Sequence, residues 1–304
     1  MSIKGIVMAR ISMLGSGTIG TIVGKSLLQL GNQVVFYDID ENRVKLLNDS
    51  GLEATPKIEN ATAKSEISFI CVPTPVTDKG MDLAPVNSVV DSLASCLRNK
   101  NDYHLVVVKS TVTPTTTQRK LVPLLEKKSG KHVDEQIGVC VNPEFLTEIS
   151  HTWSDGDKFS RGFFNEDRIV IGEFSKKSGD ILEALYRSLN IPIIRTDLTT
   201  AETIKLACNC ALASRISYWN EIFYICQKLG VDSNLVANVA AMDERIGKYG
   251  TIHGKAFGGK CLPKDLKAFI KFSEGVGHDP RLLKAVEETN KKIGAEKGVR
   301  EQQG

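Results

Sequence analysis

Short apolar runs bounded by turn residues alternate with amphipathic segments over the first two thirds of the chain. Such runs are typical of buried parallel strands, and the apolar residues between them recur at helical spacing. The predicted strands are the run ISML, which precedes a glycine turn, and residues 33–38, 68–72, 105–110, 136–143, 168–172 and 191–197. The predicted helices extend from the glycine turn to about Leu30, over 84–97 and near 176–189. This alternation predicts an α/β fold built on a doubly wound parallel sheet.

The pattern changes after residue 197, where the alternation with strands stops. From Thr199 to Leu229 the chain contains no glycine or proline, which predicts one long helix with Thr199 or Thr200 as its N-cap and Glu202 in its first turn. Shorter helices are predicted near 232–241, 263–274 and 280–292. The predicted domains are a sheet domain over 1–197, a long central helix with a small all-α domain over 198–292, and a flexible tail over 293–304.

The composition indicates a globular protein, with 304 residues, 41% of them hydrophobic and 25% charged, and a net charge of +3. Scattered basic residues give no argument for a nucleic-acid partner, and no apolar stretch approaches the roughly 18 residues of a membrane helix. Without a signal peptide, a cytoplasmic location is expected. The seven cysteines are then expected to be free thiols, and neither their spacing nor that of the histidines predicts a metal site.

Gly15, Gly17 and Gly20 form a G-x-G-x-x-G pattern between the first predicted strand and the first predicted helix. Such glycines let the backbone approach a pyrophosphate, whose charge the helix N-terminus favours. Asp38 closes the next predicted strand, where a carboxylate binds the adenosine ribose and disfavours the extra phosphate of NADP. The pattern therefore predicts a Rossmann-type domain that binds NAD, the alternative being a tight turn followed by a surface aspartate.

Cys261 lies in the segment FGGKCLPKD, after two glycines and before a proline. A cysteine in such a loop is a candidate nucleophile, because the glycines allow a substrate to approach closely and Lys264 could help hold a thiolate. The alternative is an inert apolar thiol. That alternative is the preferred interpretation for the cysteines in predicted strands and helices, which are Cys71, Cys96, Cys140, Cys208, Cys210 and Cys226.

Over about residues 10–292 the chain resembles the UDP-glucose/GDP-mannose dehydrogenase family, and within it the UDP-glucose 6-dehydrogenases most. The resemblance rests on the order and spacing of GSGTIG, VPTP, KST, NPEFL, DRIVIG, AETIKLACN, NEI, DERIG and FGGKCLPKD. It implies an NAD-dependent four-electron oxidation, in which the primary alcohol of a nucleotide sugar becomes an aldehyde and then an acid. UDP-glucose is the substrate that the resemblance favours.

The same resemblance implies roles for individual residues. Cys261 matches the nucleophile, Lys205 and Asn209 match the pair that stabilises the reacting oxygen, and a solvated polar stripe is the alternative for that pair. Asp265 matches an aspartate that assists base chemistry, with a first-turn helix carboxylate as the alternative. Glu144 and Thr111 match positions that hold the hydrolytic water or the reacting groups, although Thr111 could also be an ordinary strand-end residue.

The contacts implied by the resemblance fall into two sets. Those with NAD are Gly15, Gly17, Thr18, Ile19, Gly20, Asp38, Arg43, Val72, Pro73, Thr74, Ser110 and Thr111. Those with the nucleotide sugar are Phe145, Leu146, Glu148, Lys205, Asn209, Arg245, Phe257 and Gly258. In relatives the arginine at the position of Arg245 reaches the substrate from the neighbouring subunit, and a surface arginine is the alternative here.

The chain departs from the family pattern at several positions. Thr113 and Thr115 stand where relatives often have proline and glycine, Ile149 where they have glycine, and Lys260 where many have a small residue. The loop 150–166 is longer than usual, so the shape of the sugar pocket stays open. Relatives also continue into a second Rossmann-like domain, so either this sequence is a piece of a longer protein, or the protein lacks that domain, or another chain completes the site.

Two other functions compete with this interpretation: a two-electron hydroxyacid-type dehydrogenase, which needs no thiol, and a non-catalytic NAD-binding remnant that acts as a scaffold or regulator. A homodimer is expected in each case, because the long helix is apolar on more than one face and relatives dimerise through it. The residues that carry this expectation are Ile204, Leu212, Ile216, Trp219, Phe223 and Tyr224. If the chain's own helices bury all of these faces, a monomer is the alternative.

Overall fold

The computed structural model describes residues 8–147, 153 and 161–300. Its strands are β1 (Arg10–Leu14), β2 (Gln33–Tyr37), β3 (Ala54–Thr55), β4 (Ile67–Ile70), β5 (Val76–Thr77), β6 (Gly80–Met81), β7 (His104–Val108), β8 (Ile137–Val141), β9 (Ile169–Glu173), β10 (Ile193–Asp197), β11 (Ala256–Phe257) and β12 (Val299–Arg300). Its α-helices are α1 (Thr18–Gln29), α2 (Glu41–Asp49), α3 (Ile58–Ala63), α4 (Ala84–Leu97), α5 (Val122–Ser129), α6 (Lys176–Tyr186), α7 (Leu198–Leu229), α8 (Ser233–Ala240), α9 (Leu262–Gly275) and α10 (Arg281–Lys297). A π-helical segment, Thr117–Leu121, precedes α5.

The chain forms two compact units. The first contains the described residues up to 75, 82–144 and 163–203, and the second contains those of 76–81, 145–162 and 204 onward. The helix α7 therefore contributes its first turns to one unit and the rest to the other. The predicted domain boundary at 197 stays a prediction, a few residues before this division.

The first unit is built on an eight-stranded sheet in the order β10-β9-β8-β7-β4-β1-β2-β3. Every residue of β4, β7 and β8 is buried, as the predicted α/β fold requires for strands covered on both faces. The predicted doubly wound parallel sheet is confirmed, with one exception: β8 and β9 pair antiparallel. No helix lies between them in the described residues, and a crossover helix is what normally returns a chain to the starting edge for parallel pairing.

The long helix is confirmed, with its start moved by one residue to Leu198. Asp197, rather than Thr199 or Thr200, caps it, because the Asp197 carboxylate accepts a hydrogen bond from the Thr200 N–H at 2.9 Å. Glu202 consequently lies in the second turn, where it is 2% exposed. The helix thus begins directly after β10, without a separate capping loop.

The second unit packs α9 and α10 against α7, and its core includes Ile216, Leu266, Ile270 and Val286. The predicted tail begins later than residue 293, because Ile293 is fully buried and α10 continues to Lys297. The next residues form β12, which pairs with β11. Residues 301–304 lie outside the described part of the chain. Among the described residues, no helix combines the length and the apolar character needed to cross a membrane.

Candidate functional site

Four sequence motifs lie at one edge of the sheet in the first unit. The glycine loop follows β1, VPTP follows β4, KST follows β7 and NPEFL follows β8. Because these four strands are parallel neighbours, their carboxyl ends share this edge. The chain changes direction across the sheet between β1 and β4, which is where ligands bind in open α/β sheets.

The glycine loop has no room for larger residues. Gly15 adopts a φ of +97°, and a Cβ added to it would lie 2.7 Å from the carbonyl oxygen of Cys71. A Cβ on Gly20 would lie 2.0 Å from the carbonyl oxygen of Gly15. The tight turn therefore requires glycine at both positions, for φ at the first and for close packing at the second.

The first turn of α1 is open to a ligand. Gly17 is its N-cap and has no side chain that could occupy the helix N-terminus. A Cβ on Gly17 would meet nothing within 4 Å. The first helical hydrogen bond joins the Thr21 N–H to the Gly17 carbonyl, so the preceding N–H groups, including those of Thr18 and Ile19, are the orphan donors of a helix start. This geometry fits the pyrophosphate of a dinucleotide.

Asp38 is held in position by the glycine loop. Its Oδ2 accepts a hydrogen bond from the Ser16 N–H at 2.8 Å, and its Oδ1 accepts one from the Asp40 N–H at 3.0 Å. Arg43 lies beside it, with Nε 3.9 Å from Asp38 Oδ2 and a hydrogen bond to the Ser16 carbonyl. Each carboxylate oxygen can accept a second hydrogen bond, so a ribose diol fits the donors and acceptors present.

Hydrogen bonds join the segments after β4 and β7. The Ser110 hydroxyl donates to the Val72 carbonyl at 2.7 Å, and the buried Thr74 hydroxyl donates to the Thr111 carbonyl at 2.7 Å. Pro73, which lies between Val72 and Thr74 in the sequence, is exposed. The predicted NAD contacts of these two segments therefore form one hydrogen-bonded patch in the first unit.

A buried network supports the start of NPEFL. The Lys109 ammonium donates to Asn142 Oδ1 at 2.9 Å, and the Tyr186 hydroxyl donates to the same oxygen at 2.6 Å. Asn142 in turn donates to the Val170 carbonyl. Sequence reasoning assigned no role to these three side chains, although Lys109 and Asn142 lie inside the quoted motifs. The network fixes the backbone just before Glu144, which is itself partly exposed.

In the second unit, Cys261 is the one exposed thiol among the seven cysteines, all of which lie in the described residues. It is the N-cap residue of α9, whose N-terminus favours negative charge. Burial raises the pKa of the Cys71, Cys140 and Cys210 thiols to about 12, so these remain protonated at neutral pH. The contrast supports Cys261 as the reactive thiol.

Asp265 lies one turn into α9 and is 1% exposed. Its Oδ2 accepts a hydrogen bond from the Asn209 amide at 2.6 Å, and its Oδ1 pairs with the Lys264 ammonium at 2.5 Å. Lys264 therefore pairs with Asp265, a partner that the sequence analysis did not assign to it. The Asp265 N–H also donates to the Cys261 carbonyl, so the aspartate and the thiol are fixed to the same helical turn.

Lys205 and Asn209 are 4% and 7% exposed, so they do not form a solvated polar stripe. They lie one turn apart on α7, on the same face. The Lys205 ammonium is 5.4 Å from the centroid of the Phe145 ring, which belongs to the same unit. The second unit therefore gathers Cys261, Asp265, Asn209, Lys205 and Phe145 through a chain of contacts.

The remaining predicted substrate contacts differ in their exposure and packing. Leu146 is partly exposed, and Glu148 lies outside the described residues. Phe257 is 2% exposed in the core, and its N–H and carbonyl both bond to the Asn290 side chain. A Cβ on Gly258 would lie 2.6 Å from Val299. These positions favour structural roles for Phe257 and Gly258 over the predicted contacts.

Arg245 is not held in the site of its own unit. Its side chain is 89% exposed and pairs with Asp243 at 2.6 Å. The loop that carries it is held by Arg215, which donates to the carbonyls of Ile246, Gly247 and Tyr249. Sequence reasoning missed Arg215, because its partners lie far along the chain. No cluster of His, Cys, Asp or Glu side chains suited to a metal occurs in the described residues.

Comparison with known proteins identifies two matching family models. The NAD-binding domain of the UDP-glucose/GDP-mannose dehydrogenase family matches residues 48–190, and the central domain of the same family matches residues 199–292. The glycine loop and Asp38 precede the first matched range. The order of the two domains along the chain agrees with the order of the two units.

Three relatives illustrate the similarity. The UDP-glucose 6-dehydrogenase AglM of Haloferax volcanii is 37% identical, over 92% of this chain and 69% of the relative. The GDP-mannose 6-dehydrogenase of Pseudomonas syringae pv. tomato is also 37% identical, over 92% of this chain and 68% of the relative. The solved UDP-glucose dehydrogenase of Pyrobaculum islandicum is 32% identical with a TM-score of 0.86, over 96% of this chain and 70% of that one.

The names of the two curated relatives give different nucleotide sugars, UDP-glucose and GDP-mannose. The similarity therefore identifies the family of this chain but not its sugar substrate. Both relatives are longer than this chain, which spans about two thirds of each. The second matched range includes the segment around Cys261. The chain belongs to the UDP-glucose/GDP-mannose dehydrogenase family, and its N-terminal domain is the NAD-binding domain of that family.

Proposed function

We propose that this chain oxidises the primary alcohol of a nucleotide sugar to a carboxylate, with UDP-glucose as the substrate and Cys261 as the nucleophile. One observation carries the proposal: the single exposed thiol of the chain begins the helix that also holds the buried Asp265. The name of the Haloferax relative supports UDP-glucose, while that of the Pseudomonas relative makes GDP-mannose the second candidate. Measuring kcat/KM with both nucleotide sugars tests the choice, and a clear preference for GDP-mannose would reject UDP-glucose.

Bound NAD would supply a two-electron oxidation at each of two stages. The glycine loop, the start of α1 and Asp38 would hold the cofactor, and the patch around Thr74 and Ser110 would lie beside it. In the first stage the alcohol loses its hydroxyl proton as the carbon is oxidised to an aldehyde. Lys205 and Asn209 stabilise the negative charge that develops on the oxygen, because a buried cation and an amide donor act strongly where water is excluded.

Cys261 makes the second stage possible. Its sulfur adds to the aldehyde carbon, the carbonyl oxygen takes up a proton, and the thiohemiacetal stays attached to the enzyme. Loss of a hydride, which a second NAD would take, and of the hydroxyl proton converts this adduct to a thioester. Water then adds to the thioester carbon, the carbon–sulfur bond breaks, and the carboxylate leaves while the thiol is regenerated. Asp265 assists proton transfer in these steps, and Glu144 and Thr111 are proposed to hold the water.

We predict that NAD binds more tightly than NADP. The Asp38 carboxylate accepts two backbone hydrogen bonds at the proposed ribose position, so a 2′-phosphate beside this carboxylate would be repelled. Calorimetric titration with both cofactors measures the difference, which we expect to exceed about tenfold, or ~1.4 kcal/mol. Asp38→Ala should reduce the difference in affinity between NAD and NADP. Tighter binding of NADP by the unaltered protein would reject the assignment of Asp38.

We also propose a homodimer through α7, as predicted, although two of the six predicted contact residues cannot take part. Ile216 and Trp219 are buried by the chain's own residues, so they are not available to a partner. Tyr218, Ile225 and Leu229 are 58%, 48% and 68% exposed instead, and their spacing places them on one face of α7. An exposed apolar face on a helix indicates a partner.

The dimer is expected to persist at micromolar concentration. Sedimentation should then give about twice the mass of one chain, which is 33.3 kDa. Ile225→Glu should shift the species toward the monomer, because it places a charge in the proposed apolar interface. Glu288→Gln, on an exposed part of α10, serves as the control. A single-chain mass for the unaltered protein would reject the dimer and with it the role of Arg245 across subunits.

A further inference from the structure

Glu202 is a buried carboxyl group that the proposed reaction does not use. It lies in the second turn of α7 and is 2% exposed. Its Oε1 accepts a hydrogen bond from the Thr117 N–H at 2.8 Å. Its Oε2 is fully buried and has no hydrogen-bond partner among the described residues. Buried carboxyl oxygens are nearly always satisfied, so this arrangement requires a physical reason.

The partner of Glu202 is a strained segment that follows Thr111. Thr115 adopts a φ of +70°, a left-handed conformation that is costly for a β-branched residue. The π-helical segment begins two residues later at Thr117. A conformation of this kind persists only when surrounding contacts hold it.

We propose that Glu202 is a positioning residue, whose carboxyl holds the strained segment 111–117 through the hydrogen bond from the Thr117 N–H and thereby orders the NAD-binding patch around Thr111. The segment is tied to that patch by the hydrogen bond between the Thr74 hydroxyl and the Thr111 carbonyl. Loss of the Glu202 contact would release the left-handed Thr115 and allow Thr111 to move. The inference rests on the proposed use of this patch for NAD.

The hydrogen bond between Thr117 and Glu202 is predicted to depend on whether the Glu202 carboxyl group is protonated. Burial raises the pKa of Glu202 to about 7, while hydrogen bonding to Thr117 acts in the opposite direction. Burial is the largest cause of this shift, and the nearest charged residue along α7 is Lys205. Ionisation would place a negative charge on the unpartnered Oε2, which is costly in a buried site.

The sign of the pH effect follows from the raised pKa. The folded protein holds the proton up to a higher pH than the unfolded chain, whose carboxyl titrates at its ordinary value of 4.5. Stability from this group is therefore complete below about pH 4.5 and declines as the pH rises toward 7. Above that range the ionised carboxylate is expected to draw in water, so the segment loosens and NAD affinity falls.

The test measures NAD affinity by calorimetry from pH 5.5 to 9 for three proteins. The unaltered chain should lose about tenfold in affinity across this range, because one buried group changes its charge. Glu202→Gln keeps an oxygen acceptor for Thr117 but cannot ionise, so its affinity should change less than about twofold. Glu288→Gln, an exposed glutamate on α10, is the matched control and should follow the unaltered chain. An equal pH dependence in Glu202→Gln would overturn the proposal.

A rescue variant distinguishes positioning from a general loss of stability. Glu202→Leu should weaken NAD binding at every pH, because without the hydrogen bond to the Thr117 N–H the strained Thr115 relaxes and Thr111 moves. Adding Thr115→Gly should restore most of the affinity, because glycine adopts the left-handed conformation without strain. Failure of the rescue in a protein that still unfolds cooperatively would also overturn the proposal. These readouts need no sugar oxidation, so an inactive chain would reject the proposed function while leaving this inference testable.

Discussion

Cys261→Ala should abolish formation of the sugar acid while NAD binds with unchanged affinity. The aldehyde carbon then has no sulfur to which it can attach, so no thioester can form. We expect acid formation to fall by at least a thousandfold, or about 4 kcal/mol in the activation barrier. NAD affinity should stay constant, because the glycine loop and Asp38 belong to the other compact unit. Chromatography of the sugar product together with NAD titration measures both quantities.

The matched control is Cys96→Ala, which removes a partly buried thiol on α4. Burial raises the pKa of the Cys96 thiol, so it stays protonated and should contribute nothing to the reaction. Acid formation by this control should equal that of the unaltered chain. If Cys261→Ala produced acid at the unaltered rate, the thioester route would be excluded and a route that bypasses the thiol would be required.

Gly20→Ala should have the largest effect on the cofactor site. The added Cβ would lie 2.0 Å from the Gly15 carbonyl oxygen, a backbone atom that cannot move without opening the loop. We expect NAD affinity to fall by at least a hundredfold, equivalent to ~2.7 kcal/mol, with a lower unfolding temperature. Gly275→Ala is the control, because a Cβ there meets nothing within 4 Å. It should leave both quantities nearly unchanged.

Gly17→Ala separates cofactor contact from loop packing. A Cβ on Gly17 meets nothing within 4 Å and the residue has a φ of −65°, so this variant should fold normally. It should still weaken NAD, because the methyl group would occupy the space where the backbone approaches the pyrophosphate. Unchanged NAD affinity in both glycine variants would contradict the placement of the cofactor on this loop.

The sequence predicted most elements of the first unit because its strands are short, mostly apolar and bounded by turn residues. The helix predicted over 84–97 agrees with α4. The antiparallel pairing of β8 with β9 was not predictable, because both strands have the same apolar pattern in either direction. Strand direction depends on the connection between them, which has no periodicity that would reveal it.

Long-range contacts account for the other differences. Nothing in the sequence around Glu202 distinguishes it from an exposed glutamate on a helix. Its buried carboxyl accepts a hydrogen bond from Thr117, which lies 85 residues away along the chain. Ile216 and Trp219 were expected at a dimer surface. The sequence of an apolar helix face does not show whether that face packs against the same chain or against a second one. The turn of the glycine loop and the helix start at Cys261 were predictable, because both depend on glycine and proline residues next to them in the sequence.

The number of NAD molecules reduced per nucleotide sugar tests the central claim most directly. With UDP-glucose limiting and NAD in excess, absorbance at completion gives the ratio of NADH formed to sugar consumed, and GDP-mannose provides the parallel measurement. The thiohemiacetal and thioester steps predict two NADH for each sugar, together with one carboxylate. A ratio of one with an aldehyde product would contradict the four-electron mechanism and favour a simple dehydrogenase, while NAD binding without turnover of either sugar would favour a non-catalytic role.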